Sequence, residues 1–174
     1  MQTFLDRIYL AAGWLSAFTI LAIAVLISAQ ISLNFATRVF SLPLPSTIPS
    51  YADFSGFMLA AATFLAMPYT FRSGGHIKVS LVTARLPARA RLVAEVIALI
   101  AATALTAFAV YYIWALVAES IHFGDVSDGT IPIPLWIPQT AMGIGMTLLC
   151  VSVIQSLIET LVRGAPVIAA SEEA

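Results

Sequence analysis

Charged residues are scarce in this 174-residue chain and missing altogether from four long stretches of it. Charged side chains make up 10% of the residues and hydrophobic ones 60%, whereas a soluble domain averages about 25% charged. No charged residue occurs in residues 8–37, 54–71, 96–118 or 129–158. Because a helix needs roughly 20 mostly apolar residues to cross a ~30 Å hydrocarbon core, each stretch is long enough to span a membrane. The sequence therefore predicts an all-α integral membrane protein with four transmembrane helices.

Cysteine and histidine are almost absent too, and this excludes several kinds of site. The single cysteine, Cys150, lies inside the last stretch, so neither an intramolecular disulfide nor a multi-cysteine metal site can form within the chain. His76 and His122 lie in or beside loops on opposite sides of the predicted membrane, which rules out a haem held between helices. We expect neither a cofactor nor a metal.

Ionisable groups are also missing from the middle of the predicted spans, where they mark the pathway of most proton-coupled carriers. The nearest acids, Glu95, Glu119 and Glu159, stand close to span ends, and we interpret them as solvated or interfacial. Four amides in the spans are interpreted as hydrogen-bonding bridges between helices rather than a substrate site: Gln30, Asn34, Gln139 and Gln155. The chain is therefore not expected to be an enzyme.

No linker divides the chain, so one domain is expected over residues 1–163, followed by a disordered cytoplasmic tail at 164–174. The spans are predicted at about residues 8–35, 52–71, 92–118 and 134–160. A small-residue pattern at Ala22 and Ala24 resembles a signal-peptide cleavage site, but the apolar run continues well past it, so the first span is interpreted as a retained helix.

The placement of bases predicts the topology. Of the eight bases in the chain, Arg38 alone falls in the loops of one side, and the second loop of that side carries acids without a base. The other seven fall on the opposite side, together with both termini. Bases in short loops stay cytoplasmic, so both termini are expected in the cytoplasm and residues 38–52 and 120–133 in the periplasm.

The loop after the second span is the most distinctive segment. Gly74 and Gly75 permit a helix C-cap and a sharp change of direction. From Ile77 onward the apolar residues can share one helical face and the basic residues another. This pattern predicts a short amphipathic segment on the inner leaflet that ends at Pro87. We expect this basic cluster to meet lipid headgroups or the cytoplasmic edge of a partner, and we do not expect His76 to relay protons.

Small residues recur at helical spacing within the spans. They form i,i+4 pairs at Gly13/Ala17, Gly56/Ala60 and Ala141/Gly145. Such pairs let helix backbones approach closely, within the chain or against a partner.

Residues from about 4 to 162 resemble the small, Q-type membrane subunit of tripartite ATP-independent periplasmic (TRAP) transporters. Three groups of residues carry the resemblance, and they supply the candidate partner-contact or structural residues. The first comprises Arg72, Gly74, Gly75, His76 and Lys78, followed by Pro87 and Arg89. The second comprises Gly124 and Ser127, followed by Pro134, Trp136 and Gly143, and the third comprises Arg38 and Asp53. Two positions depart from the pattern: the family often has Glu at Asp53 and Pro at Met142.

The resemblance implies a non-catalytic scaffold in the bacterial or archaeal inner membrane. In such systems a periplasmic binding protein delivers an organic acid to a large multi-helix subunit, which transports it with sodium while the small subunit packs beside it. Membrane lipids are the other expected partner, and nucleic acid is not. We also expect Arg38 and Asp53 to pair and set the angle between the first two helices.

Two other functions stay open at this point. The first alternative is an autonomous small transporter, whose sites would use backbone carbonyls and amide side chains. The second is the membrane anchor of another complex, such as a respiratory enzyme. The substrate is not specified by this sequence.

Overall fold

A computed structural model describes residues 2–40, 43, 45–74 and 87–163 of the chain. Within them the chain forms four helices: α1 (Gln2–Phe40), α2 (Tyr51–Arg72), α3 (Ala88–Phe123) and α4 (Trp136–Arg163). All four are long and apolar enough to cross a membrane, which confirms the predicted four-helix membrane fold. The predicted amphipathic segment and the C-terminal tail lie outside the described residues.

The helices differ greatly in length. The 22 residues of α2 span about 33 Å at 1.5 Å per residue, close to the thickness of the hydrocarbon core. The 39 residues of α1 and the 36 of α3 span about 58 Å and 54 Å. Since α2 alone is about as long as the hydrocarbon core is thick, α1 and α3 must tilt or extend beyond it.

The helices form an open row rather than a closed bundle. In this row α1 packs on α2, α2 packs on α4, and α4 packs on α3. Of its most apolar 18 residues, α4 buries 33% whereas α3 buries 6%. The central helices therefore make the core, and α1 and α3 leave broad apolar faces uncovered.

The two ends of the row are built from different segments. At one end, called here the termini end, the first turns of α1 meet the last turns of α2 and α4. At the other, called the loop end, the connection at residues 45–50 meets the connection at 124–135, where the Ile131 backbone N–H donates to Ser50 Oγ at 2.8 Å. This arrangement agrees with the predicted alternation of loops, and the assignment of the termini end to the cytoplasm stays a prediction.

Where α2 and α4 cross, a glycine lies against a backbone carbonyl that a proline leaves without its usual donor. Pro68 lies inside α2 and has no N–H to donate to the carbonyl of Phe64, four residues earlier. The backbone of Gly145 lies directly against that carbonyl, and a Cβ at Gly145 would collide with it and stand 2.9 Å from the backbone nitrogen of Leu65. The close approach that the small-residue spacing predicts is therefore present here, at a carbonyl that the α2 ladder leaves without its usual donor.

Small residues also set the contact between α1 and α2. A Cβ on Gly13 would stand 3.2 Å from the ring of Tyr69, and the hydroxyl of Ser16 donates to the Ala62 carbonyl at 2.7 Å, so α1 packs tightly on α2. Gly56, by contrast, has no atom within 4 Å of the position its Cβ would take. The small-residue pairs predicted from the sequence are therefore not equivalent in the folded chain.

Candidate functional site

A buried cluster of polar side chains joins α1, α2 and α4 at the termini end. The guanidinium of Arg72, in the last turn of α2, binds both carboxylate oxygens of Glu159 on α4, at 3.1 and 3.3 Å. The same guanidinium donates to the hydroxyl of Ser156 at 3.1 Å. Two-point binding of a carboxylate by arginine is among the strongest hydrogen-bonded arrangements in proteins. The last turns of α2 and α4 are therefore fixed to each other.

Two side chains of α1 extend this arrangement. The amide of Gln155 donates to Glu159 Oε1 at 2.8 Å, and its carbonyl oxygen accepts from the hydroxyl of Tyr9 at 3.1 Å. Asp6, one turn before Tyr9, stands 3.9 Å from Arg72. The polar cluster is defined here as Tyr9, Arg72, Gln155, Ser156 and Glu159, and it connects three helices that are far apart in the sequence.

Burial distinguishes this cluster from a surface ion pair. The side chain of Glu159 is 9% exposed and that of Arg72 is 21% exposed, while Tyr9 and Ser156 are buried. The interpretation of Glu159 as a solvated or interfacial acid is therefore wrong, because α1 and α2 cover it. Arg72 likewise binds within the helix row, where the sequence predicts a contact with headgroups or a partner.

The bonding of the cluster leaves it little capacity for other chemistry. The Glu159 carboxylate already accepts from Arg72 and Gln155, and the Arg72 guanidinium is held by Glu159 and Ser156. An ion or a substrate would have to displace one of these buried partners at considerable cost. The cluster therefore serves to hold helices together, and it is a poor candidate for a transport site.

Arg38 and Asp53, predicted to pair at the loop end, do not do so in the described part of the chain. Gln30 lies at the level of the connection before α2, because the Ile48 backbone N–H donates to Gln30 Oε1 at 2.7 Å. Arg38 stands eight residues further along α1, about 12 Å beyond that level. Asp53 instead faces Gly129, where a Cβ would collide with its carboxylate. The pairing fails because the Asp53 carboxylate is directed toward the connection at residues 124–135.

The remaining predicted residues that the structure describes occupy turns, helix ends and one contact, and none of them joins the polar cluster. Gly74, with φ 75°, follows the end of α2, and Pro87, with ψ 152°, precedes α3. Arg89 is exposed at the start of α3. Gly75, His76 and Lys78 lie outside the described residues.

Pro134, Trp136 and Gly143 belong to the connection that leads into α4 and to α4 itself. Pro134 pairs with Val126 in an isolated antiparallel bridge, and Trp136 is the first residue of α4. A Cβ on Gly143 would stand 3.2 Å from the ring of Trp114, whose indole N–H donates to Thr147 Oγ1 at 3.1 Å. These residues therefore order the loop end and the packing of α3 on α4.

The sequence analysis missed Glu159, Ser156 and Tyr9 as members of a site, although it identified Gln155 as a bridge between helices. One signal was available. Gln155 and Glu159 are four residues apart and share a helix face. The predicted topology also brings the last turn of α2, with its base Arg72, to the same side of the membrane as the last turns of α4. A base and an acid at neighbouring helix ends on one side are candidates to pair.

Comparison with known proteins gives one family match. A family model described as "Tripartite ATP-independent periplasmic transporters, DctQ component" matches residues 27–163, which is most of the chain and includes α2, α3 and α4 in full. No curated protein and no solved structure matches significantly.

Proposed function

The chain belongs to the DctQ family of tripartite ATP-independent periplasmic transporters, and we propose that it acts there as a non-catalytic scaffold in the inner membrane. In this proposal it packs beside a large multi-helix subunit, which imports an organic acid with sodium after a periplasmic binding protein has delivered it. The small subunit supplies a fixed membrane platform. Its own helices bind neither the sodium nor the acid.

The observation that carries the scaffold role is that the buried charge of the helices is bound by other side chains of the same chain. Among the described residues Glu159 is the only charged one that is buried, and Arg72 and Gln155 both bind its carboxylate. Carriers that bind sodium or a carboxylate need uncommitted polar groups near the middle of the membrane. The described spans hold a committed ion pair near one end instead, which supports a role in fixing helices.

The open row of helices is a second observation in favour of a large membrane partner. Broad faces of α1 and α3 carry exposed apolar side chains along their whole length, including Phe18, Leu21, Leu105 and Phe108. Lipid covers such faces in part, and a neighbouring subunit is the other way to cover them. A row of four helices with two uncovered edges suits a component that adds to the side of a larger assembly.

Deletion of the chain from its transporter tests this function. We expect uptake of the organic acid to be abolished while the purified binding protein keeps its affinity for substrate, and affinity purification of the tagged chain to bring down a large polytopic subunit. Uptake that survives the deletion would contradict the scaffold role. Uptake by liposomes that contain this chain alone would establish the autonomous transporter, and a haem or quinone spectrum of the purified chain would favour a respiratory anchor.

The proposed orientation places the termini end in the cytoplasm and has its own test. In a background with Cys150→Ser, single cysteines replace Ser46, Ser127 or Ser80. A membrane-impermeant thiol reagent added to intact cells should label Ser46→Cys and Ser127→Cys but leave Ser80→Cys unlabelled. Labelling of Ser80→Cys would reverse the orientation.

A further inference from the structure

The last turns of α1 extend past its described contacts with the connection before α2, the last of which joins Asn34 Nδ2 to the Ser46 carbonyl at 3.4 Å. Gln30 is level with the connection before α2, since its side chain accepts from the Ile48 backbone. From there α1 continues without a break to Phe40, about 15 Å further. Because α2 is about as long as the hydrocarbon core is thick, we place the start of α2 near the edge of the core and the end of α1 in the layer of lipid headgroups.

An open groove of about 430 Å³ lies between this extension and the start of α2. One stripe of α1 forms its long wall and Tyr51 stands on the other side. The stripe consists of Gln30, Ile31, Asn34, Phe35, Arg38 and Val39. Ile31 and Phe35 are 64% and 59% exposed, so apolar walls stand open directly below the one cation in the groove.

The charge of Arg38 indicates which kind of ligand fits the groove. Its side chain is exposed and has no ion pair or hydrogen bond anywhere in the described part of the chain. Side chains on a helix lean toward its N-terminus, which for α1 lies at the opposite membrane surface. The guanidinium therefore reaches back from the level of residue 38 toward the edge of the hydrocarbon core, where phospholipid phosphates lie. Tyr51, at the start of α2, stands at the same edge.

We propose that this groove binds a phospholipid, with its phosphate at Arg38 and Tyr51 and one acyl chain along Ile31 and Phe35. Charge complementarity supplies the headgroup contact, and the apolar wall on the membrane side of Arg38 supplies the tail contact. An acidic protein surface would satisfy the guanidinium but not the apolar wall of Ile31 and Phe35 beside it. The proposal does not depend on the proposed function, because it concerns a lipid site of this chain alone.

The test uses the full purified chain, stripped of lipid, and a phosphatidylglycerol that carries a photoreactive group on one acyl chain. We expect light-induced labelling to map to residues 31–40 of α1. Arg38→Gln should lower this labelling about fivefold, the factor that corresponds to about 1 kcal/mol per base near a lipid headgroup. Arg38→Lys should restore most of it, because the charge is retained. Arg7→Gln is the matched control, since it removes an exposed base from the other end of the same helix.

Two further probes separate the possible ligands. A photoreactive diacylglycerol, which lacks the phosphate, should label these residues weakly and equally in the parent chain and in Arg38→Gln. Inorganic phosphate at millimolar concentration should not compete with the lipid, and full competition would show a site for soluble anions and overturn the proposal. Unchanged labelling in Arg38→Gln would also overturn it. The proposal would also be overturned if Arg38→Gln kept its lipid labelling but lost its association with the binding protein. Arg38 would then serve a protein contact.

Discussion

The termini end and the loop end hold the same helices together by different means. At the termini end a buried ion pair and two further side-chain bonds connect α1, α2 and α4 directly. At the loop end the bonds involve connecting segments: Gln30 holds Ile48, and Ser50 holds Ile131, each through a backbone N–H. No ion pair occurs at the loop end among the residues that the structure describes, although Arg38 and Asp53 are both there.

This difference separates charges that stabilise the fold from charges that remain available. The charges of Arg72 and Glu159 are consumed inside the protein, whereas the guanidinium of Arg38 faces outward at a predicted membrane surface. Buried charges are costly unless paired, so a pair inside a helix row constrains both helices strongly. Substitutions at the termini end should therefore affect stability, and substitutions at the loop end should affect interactions with other molecules.

The largest effect is expected from breaking the ion pair. Glu159→Gln leaves Arg72 without its counter-charge, and removal of one partner from a buried pair costs about 3–5 kcal/mol. Because Arg72 is 21% exposed and can gain some water, we expect a loss of about 3 kcal/mol in unfolding free energy, measured in detergent.

Two controls sharpen this result. Glu119→Gln removes an exposed acid of α3 and should change stability by less than about 0.5 kcal/mol. Replacing both partners, as Arg72→Met with Glu159→Leu, should recover most of the loss, because the isolated charge is then gone. If Glu159→Gln proves as mild as Glu119→Gln, the two ends do not differ in the way described.

The next largest loss of stability is expected at the crossing of α2 and α4, which lies between the two ends. Gly145→Ala would place a methyl group against the backbone of Phe64, a neighbour that cannot move aside as a flexible side chain does. We expect destabilisation of about 1–3 kcal/mol, the usual cost of overpacking. Gly56→Ala is the matched control, because open space surrounds that position, and it should be neutral or slightly stabilising. Equal effects of the two changes would show that α2 and α4 do not cross at Gly145.

A smaller loss of stability is expected from removing one uncharged hydrogen bond of the polar cluster. Tyr9→Phe removes the hydroxyl that donates to Gln155 and keeps the buried ring in place. Interhelical hydrogen bonds in membranes average about 0.6 kcal/mol, so we expect a loss of about 0.5–1 kcal/mol in unfolding free energy. Tyr111→Phe, on the exposed face of α3, should have no effect. A loss as large as that of Glu159→Gln would mean that the hydrogen bonds, and not the ion pair, hold the termini end.

Much of the fold followed from the sequence, because the length of a charge-free run is set by the thickness of the membrane. The four helices were predicted for that reason, and so was the close packing at Gly145, since small residues permit backbone contact. The family resemblance was confirmed by the match over residues 27–163.

The charged contacts were harder to predict, because they depend on how far each helix extends. Glu159 stands near a span end, where an acid is usually solvated, and it is buried because the neighbouring helices extend as far as it does, with Arg72 of α2 and Tyr9 of α1 in the same cluster. Arg38 was expected beside Asp53 on the assumption that α1 ends where α2 begins. Hydrophobicity falls gradually near helix ends and does not fix the last helical residue, so neither contact could be derived from the pattern alone.

The smallest effect on stability is expected at the loop end, where it tests whether Arg38 and Asp53 are independent. Neither side chain has a charged partner in the described part of the chain, so Arg38→Ala and Asp53→Ala should each change the unfolding free energy by less than about 0.5 kcal/mol. Their effects should add in the double variant, because residues without a shared contact rarely couple. Thermal unfolding of the four proteins in one detergent measures this cycle. A coupling above about 1 kcal/mol would show that the two residues pair after all, and the loop end would then be stabilised by charge as the termini end is.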